Sequence, residues 1–279
     1  VRLKQDEYYL LSPGAWTAYD YDFLQKAADD WMASGKGAID IHDITTQWGV
    51  YALAGPNARA LLKDIVKDAD PVLSNKRFPW LSYRDIELGM CPVRAIRVAY
   101  TGELGWELHY PIEFGRYLWD LLLKAGEKHG LKPVGARAQN WLRQEKSYRA
   151  FGNELGRDAT PLEAALDRFV DLTKDFRGKD KMLATGIRSK CVTLLIDGPS
   201  DTDPWGKEAL IHDGIKVGRL TSGGYSVAFG KQIGMGYVPA ALAEPGQKLK
   251  VKIQLQEWDA TVTEDSPFDP SNARIRIDG

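Results

Sequence analysis

The last third of the chain limits the fold most tightly. From Cys191 to Gly279 the apolar residues fall into short alternating runs: Val192 to Ile196, Ala209 to His212, Val217 to Ser222, Gly234 to Val238, Leu249 to Ile253 and Ala260 to Thr263. A two-residue alternation buries one face of each run and leaves the other outside, the signature of strands rather than of a helix. Asp213-Gly214 and Gly223-Gly224 read as turn pairs between runs. The pattern predicts a small antiparallel β-barrel or sandwich over residues 189–279, with its boundary in Thr185 to Lys190.

Residues 1–188 mix helical and strand periods, which makes the class α+β. VRLKQDEYYLL opens directly on a strand-like run, Tyr8 to Leu11, without an initiator methionine, and so reads as a chain cut from something longer. Between Trp16 and Met32, Tyr19, Phe23, Leu24, Ala27 and Trp31 recur at near-helical spacing and predict a surface helix. Ala38 to Asp43 and Gln47 to Leu53 read as strands. Gly55, Pro56 and Asn57 then turn into a helix with Ala58, Leu61, Leu62 and Ile65 on one face, and a lone glycine there is too few for a phosphate-cradling loop. Pro79 to Gly89 reads as a turn-rich connection into a strand from Cys91 to Tyr100. Two more helices are expected, Ile112 to His129 ended by Gly130, and Gly135 to Ala150. The second is dense in arginine, with Arg137, Arg143 and Arg149, and such charge runs are usually solvated faces. Arg137 stands apart, because a cation in a helix's first turn opposes the helix dipole and calls for an anionic partner.

Between these helices and the preceding strand lies RVAYTGELGWELHYP, Arg97 to Pro111. Val98 and Tyr100 end one alternating run, Thr101 to Gly105 is a glycine-bounded turn, and Trp106, Leu108 and Tyr110 alternate along a second run, which is a hairpin pattern. Glu107 therefore leaves the face opposite Trp106. It either points to solvent or is the one carboxylate in a walled site. A carboxylate flanked by aromatics suits a flat ligand that donates paired hydrogen bonds. Glu103, in the turn, reads as a solvated residue.

Composition removes several classes of function. Lys+Arg 37 against Asp+Glu 38, with no basic run, leaves no footprint for a nucleic-acid backbone, so nucleic acid is not an expected partner. No apolar stretch approaches the ~20 residues that cross a bilayer, so no membrane partner is expected, and nothing at the start resembles a secretory signal. The expected compartment is aqueous, cytoplasmic or alternatively the mitochondrial matrix. Cys91 and Cys191 lack the spacing of a disulfide framework or structural zinc, and His42-Asp43 reads as a loop or capping pair, so no metal site is expected.

Several blocks taken in order resemble the folate-binding aminomethyltransferase family, the T-protein of the glycine cleavage system. They are YTGELGWELHYP (Tyr100 to Pro111), LRQEKSYRAFGNEL (Leu142 to Leu155), TPLEAAL (Thr160 to Leu166), FRGKDKML (Phe176 to Leu183), VGRLTSGGYS (Val217 to Ser226), IGMGYVP (Ile233 to Pro239) and SPFDP (Ser266 to Pro270). Their wording is most similar to the C-terminal half of dimethylglycine and sarcosine dehydrogenases. The resemblance implies folate-binding aminomethyltransferase-like subdomains, N-terminally incomplete over residues 1–188, around a tetrahydrofolate pocket closed by the C-terminal β-barrel.

It also implies site residues. Tyr100 and Glu107 match the family's pterin-holding Tyr and Glu, and Arg137 matches the Arg of its Gly-Ala-Arg element. Phe151 stands where relatives carry Tyr or Trp, keeping the ring and losing a polar handle. The family's acid or base Asp follows a Gly-Gly pair immediately upstream of the strand that begins here at Val1, so the expected catalytic residue lies outside this chain. An N-terminal polypeptide or flavoprotein subunit is the implied partner, with FAD in that upstream part. The implied function is to capture the carbon released from an N-methyl amine as 5,10-methylenetetrahydrofolate. The alternatives are a stand-alone aminomethyltransferase or folate-dependent demethylase, and a non-catalytic regulatory or scaffold module with the same fold.

Overall fold

The computed structural model describes residues 1–67, 72–198 and 201–277. They divide into two units, one built from Val1–Ala99 and Leu104–Lys132, the other from Tyr100–Glu103 and Pro133–Arg276.

The first unit is a four-stranded antiparallel sheet with helices on one face. Strands β1 (Trp48–Ala54), β2 (Tyr83–Leu88), β3 (Cys91–Ile96) and β4 (Gly105–Pro111) lie in the order β1-β4-β3-β2. Helix α1 (Thr17–Ala33) follows the predicted surface helix, and its aromatic residues Tyr19, Phe23 and Trp31 remain exposed. Helices α2 (Ala58–Ile65) and α3 (Gly115–Gly126) set Leu61, Leu62, Leu118 and Leu122 into the same core as Leu53, Val93, Ala95, Trp106, Leu108 and Tyr110. Each of the buried leucines and Val93 contributes about 1.5–3 kcal/mol by leaving water. Gly49 makes room for this core, since a Cβ there would lie 2.4 Å from the Tyr110 ring. With Trp106 and Leu108 turned inward, the pleat sends Glu107 and His109 to the other face.

Four expectations in this unit are corrected. Ala38 to Asp43 forms no strand: it has no ladder partner, and the Asp43 carboxylate instead accepts a hydrogen bond from the Thr45 amide at 2.9 Å. Tyr8 to Leu11 is likewise not a strand, and the opening segment makes one isolated bridge, Arg2 to Tyr8. Pro79 to Gly89 contains β2, an edge strand whose Arg84, Asp85 and Glu87 disguise it as a loop, because charge on an edge deters further pairing. The strand expected to reach Tyr100 stops at Ile96, where the Val98 amide turns back onto the Ile96 carbonyl at 2.9 Å.

In the second unit, helices α4 (Ala136–Glu145) and α5 (Lys179–Thr185) precede strands β5 (Ser189–Ile196), β6 (Ala209–His212), β7 (Ile215–Ser226), β8 (Lys231–Pro239), β9 (Lys248–Ile253) and β10 (Gln256–Val262). The strands close into an antiparallel barrel in the order β10-β5-β8-β7-β6-β9. Its interior holds Val192, Leu194, Ile196, Leu210, Leu220, Val251, Ile253 and Val262. Closure leaves no free edge. Asp213 and Gly214 both have positive φ, 50° and 74°, which is the twist a two-residue hairpin needs.

Gly223-Gly224, by contrast, is not a turn but lies inside β7. A Cβ on Gly223 would meet the Pro204 carbonyl at 2.6 Å, and one on Gly224 the Trp141 ring at 2.2 Å, so the pair lets a loop and α4 approach the strand. The α4 helix ends at Glu145 rather than Ala150, because Ser147 takes a positive φ of 54° and its hydroxyl pairs with that of Thr193 at 2.7 Å. Among the described residues no helix is long and apolar enough to cross a membrane.

Candidate functional site

In the first unit, β4 holds Glu107 in register with Ala52 on β1 and Ile96 on β3. Its side chain is 34% exposed, and Oε2 lies 3.3 Å from Nε2 of His109, whose side chain is 1% exposed. The His109 Nδ1 is 3.1 Å from the Tyr9 hydroxyl, and the two rings meet edge to face at 5.5 Å. Arg94, opposite His109 on β3, places its guanidinium 5.0 Å from the centre of the Tyr9 ring and 5.4 Å from that of Trp48, while its Nε donates to Asp85 at 3.1 Å. Burial pushes the Tyr9 phenol's pKa up, so it stays protonated and able to donate. The second oxygen of Glu107 has no protein partner among the described residues. This carboxylate is thus held on one side and open on the other.

The other three expected site residues lie in the second unit. The Tyr100 hydroxyl donates to the Arg149 carbonyl at 3.0 Å, and its ring stacks on Tyr148 with centroids 6.0 Å apart. Beside it, Gly102 at φ 77° packs on the stem of Lys146, where a Cβ would come within 2.3 Å. The buried Lys146 ammonium donates to the carbonyls of Phe268 and Asp269 at 3.0 and 2.6 Å and to Asn272 Oδ1 at 2.9 Å. Glu103 is not the solvated turn residue expected: it is 20% exposed and pairs with Arg274 at 2.8 Å, because the turn carries it onto the C-terminal segment.

Arg137 occupies the first turn of α4 and finds its anion in Asp203, at 3.1 Å. Asp203 is itself steadied by Gln232, whose amide donates at 3.1 Å. The guanidinium lies 5.3 Å from the Trp141 ring centre and 5.4 Å from that of Trp205. Two indoles and a carboxylate therefore fix the plane of a side chain that is 61% exposed, and Asp203 engages Nη2 alone. Phe151 is exposed in a short loop bridged to Leu155.

Sequence reasoning missed the group that holds this region together. Arg143 is not on a solvated face but fully buried, with its Nη1 donating to the equally buried Glu154 at 2.7 Å. The Thr221 and Ser222 hydroxyls donate to the other Glu154 oxygen, and the Ala150 amide donates to the first at 2.9 Å. The loop bearing Phe151 is thereby tied to α4 and β7. Eleven residues separate the pair, so neither helical nor strand periodicity reveals it. His109 and Tyr9 were also missed, although the period that places Glu107 puts His109 on the same face two residues on.

Burial pushes the Cys91 thiol up to about 11 and the Cys191 thiol up to about 12, so neither is a thiolate nucleophile at neutral pH. Among the described residues no group of three His, Cys, Asp or Glu is disposed to hold a metal. An open groove of about 370 Å³ on the barrel, lined by Arg188, Lys216, Arg219 and Tyr237, contains none of the four expected site residues.

Residues 1–174 match the family model described as the GCVT N-terminal domain, and residues 190–269 match the glycine cleavage T-protein C-terminal barrel domain. Mitochondrial dimethylglycine dehydrogenase of Rattus norvegicus is 35% identical over 282 residues, covering 98% of this chain and 32% of its own length. The chain thus spans about a third of that relative. An aminomethyltransferase of Natranaerobius thermophilus is 29% identical over 272 residues, covering 96% of this chain and 71% of its own. The crystal structure of glycine cleavage system aminomethyltransferase T from Bartonella henselae matches with a TM-score of 0.69 at 26% identity, over 80% of this chain and 60% of that one.

Proposed function

Because the chain belongs to the glycine cleavage T-protein family and is an aminomethyltransferase-type domain, we propose that it is the tetrahydrofolate-binding part of an N-methyl amine dehydrogenase of the dimethylglycine or sarcosine type. One observation carries this reading. The match to dimethylglycine dehydrogenase runs through 98% of the chain yet takes in only 32% of the relative, as expected of one module in a larger enzyme.

The side chains suit a folate. A carboxylate with one oxygen held and one open can accept the paired N–H donors of a pterin edge, which is the role proposed for Glu107. Tyr100, already stacked on Tyr148, offers an aromatic wall, and Phe151 offers an exposed ring. Arg137 presents a fixed guanidinium with donors to spare for carbonyl or carboxylate oxygens. Tetrahydrofolate, when bound, supplies the nitrogens that take up the one-carbon unit as 5,10-methylenetetrahydrofolate. This chain's residues bind and orient it. The acid or base Asp and the FAD that oxidises the amine are assigned to an upstream polypeptide, in the cytoplasm or the mitochondrial matrix.

A second reading, a stand-alone aminomethyltransferase, draws on the Natranaerobius relative, of which the chain matches 71%. The two are separated by supplying tetrahydrofolate and a formaldehyde-equivalent imine to the purified chain, with and without the upstream polypeptide. A positioned carboxylate typically contributes ~100-fold or more to a proton transfer, so the isolated chain is expected to be slower by that factor. Full transfer by residues 1–279 alone would refute the shared-site assignment.

A further inference from the structure

His109 is a buried titratable group that the folate reading leaves without a task. It sits wholly within the first unit, and both its ring nitrogens are engaged: Nδ1 faces the Tyr9 hydroxyl at 3.1 Å and Nε2 faces Glu107 Oε2 at 3.3 Å. A buried imidazole needs both nitrogens satisfied. With Tyr9 donating from its phenol, Nδ1 is the acceptor and Nε2 carries the proton, so the N–H points at the carboxylate. Tyr9 is itself fixed, its backbone amide bonded to the Val1 carbonyl at 2.8 Å and its ring lying under the Arg94 guanidinium, which is tied to Asp85. The Trp48 ring lies beside it, 6.2 Å from the Tyr9 ring and 5.4 Å from the same guanidinium.

We propose that His109, locked by Tyr9, is the positioning residue for Glu107: it holds Oε2 from behind and leaves Oε1 presented to a ligand with paired N–H donors. The proposal rests on the assignment of Glu107 to the pterin. Its physical content is pre-organisation. A free glutamate side chain loses several rotamers on binding a ligand, and fixing it beforehand is worth roughly tenfold in affinity. Glu107 acts on the ligand, and His109 and Tyr9 act through Glu107. A merely structural histidine would move stability and leave binding alone.

The test uses the full 279-residue chain, with tetrahydrofolate as the probe and proton NMR as an independent readout. A buried imidazole N–H bonded to a carboxylate gives a slowly exchanging downfield resonance. It is expected in the wild type, to vanish in His109→Leu and to shift in Glu107→Gln. For folate affinity, His109→Leu should weaken binding roughly tenfold, His109→Gln, which keeps an N–H donor, should stay within about threefold, and Tyr9→Phe should fall between them. Should His109→Leu fail to fold, Tyr9→Phe, His109→Gln and the wild-type resonance decide the matter. Unchanged affinity in both His109→Leu and Tyr9→Phe, with Glu107→Gln weakened, would overturn the positioning role while sparing Glu107 as the folate ligand. Unchanged affinity in Glu107→Gln, or no folate binding by the wild type, would remove the Glu107 assignment and this proposal with it. Absence of the resonance from the wild type would overturn the hydrogen-bond chain directly.

Discussion

Glu154 in the barrel unit and Glu107 on the four-stranded sheet are both carboxylates held by a basic side chain. Glu154 is fully buried, and its two oxygens accept from Arg143, Thr221, Ser222 and the Ala150 amide. Glu107 is 34% exposed and has one oxygen engaged by His109. The first arrangement leaves no capacity for anything but the protein itself. The second leaves one oxygen without a protein partner among the described residues, the difference expected between a carboxylate that binds a ligand and one that supports the fold.

The comparison is broken most forcefully at the buried pair. Arg143→Met strands the Glu154 charge, so it is expected to destabilise by about 3–5 kcal/mol in urea unfolding. A loss below about 1 kcal/mol would mean that Glu154 is no more structural than Glu107. A smaller effect is expected at Asp269. Burial alone would raise its pKa, but the backbone amides of Arg274 and Ala273, the Lys146 ammonium and Ser271 outweigh it, and the net shift is downward. A carboxyl depressed in the folded state contributes stability that is complete above the ordinary carboxylate range, near pH 4, and is lost as pH falls through the folded value. Asp269→Asn should therefore cost about 1 kcal/mol at neutral pH, with the gap to wild type closing below about pH 4. A gap that widens in acid would reverse the assignment.

The smallest expected effect on stability sharpens the ligand side of the comparison. Arg137→Lys keeps the charge but loses the planar fork between Trp141 and Trp205. Stability should move by no more than about 0.5 kcal/mol at this exposed position, while folate affinity drops several-fold. Wild-type affinity would return Arg137 to an ordinary surface cation.

Where the sequence was legible, a period carried the information. The apolar alternation found the barrel's six strands, and the helical spacing found α1, α2, α3 and the start of α4. The same rule hid β2, because Arg84, Asp85 and Glu87 on an edge strand look like a loop, and it invented a strand at Ala38 to Asp43, where no neighbouring strand offers a ladder. Gly223-Gly224 misled because glycine marks close approach as readily as a turn, and here Pro204 and Trp141 fill the space. At the candidate site, Arg137's need for an anion was readable from the helix dipole, though not that Asp203, 66 residues away, would meet it. Partners far apart in sequence, such as Arg143 with Glu154 or His109 with Tyr9, have no local signature at all.

The central claim is that Glu107 is a ligand group for tetrahydrofolate rather than part of the fold's support. Calorimetric titration of tetrahydrofolate into the wild-type chain and into Glu107→Gln tests it most directly, with thermal unfolding of both run alongside. The account predicts a loss of roughly ten- to a hundredfold in affinity, the worth of a hydrogen bond to a charged group, with little change in melting temperature. Equal affinity for the two proteins, or a fall in stability with binding intact, would contradict it.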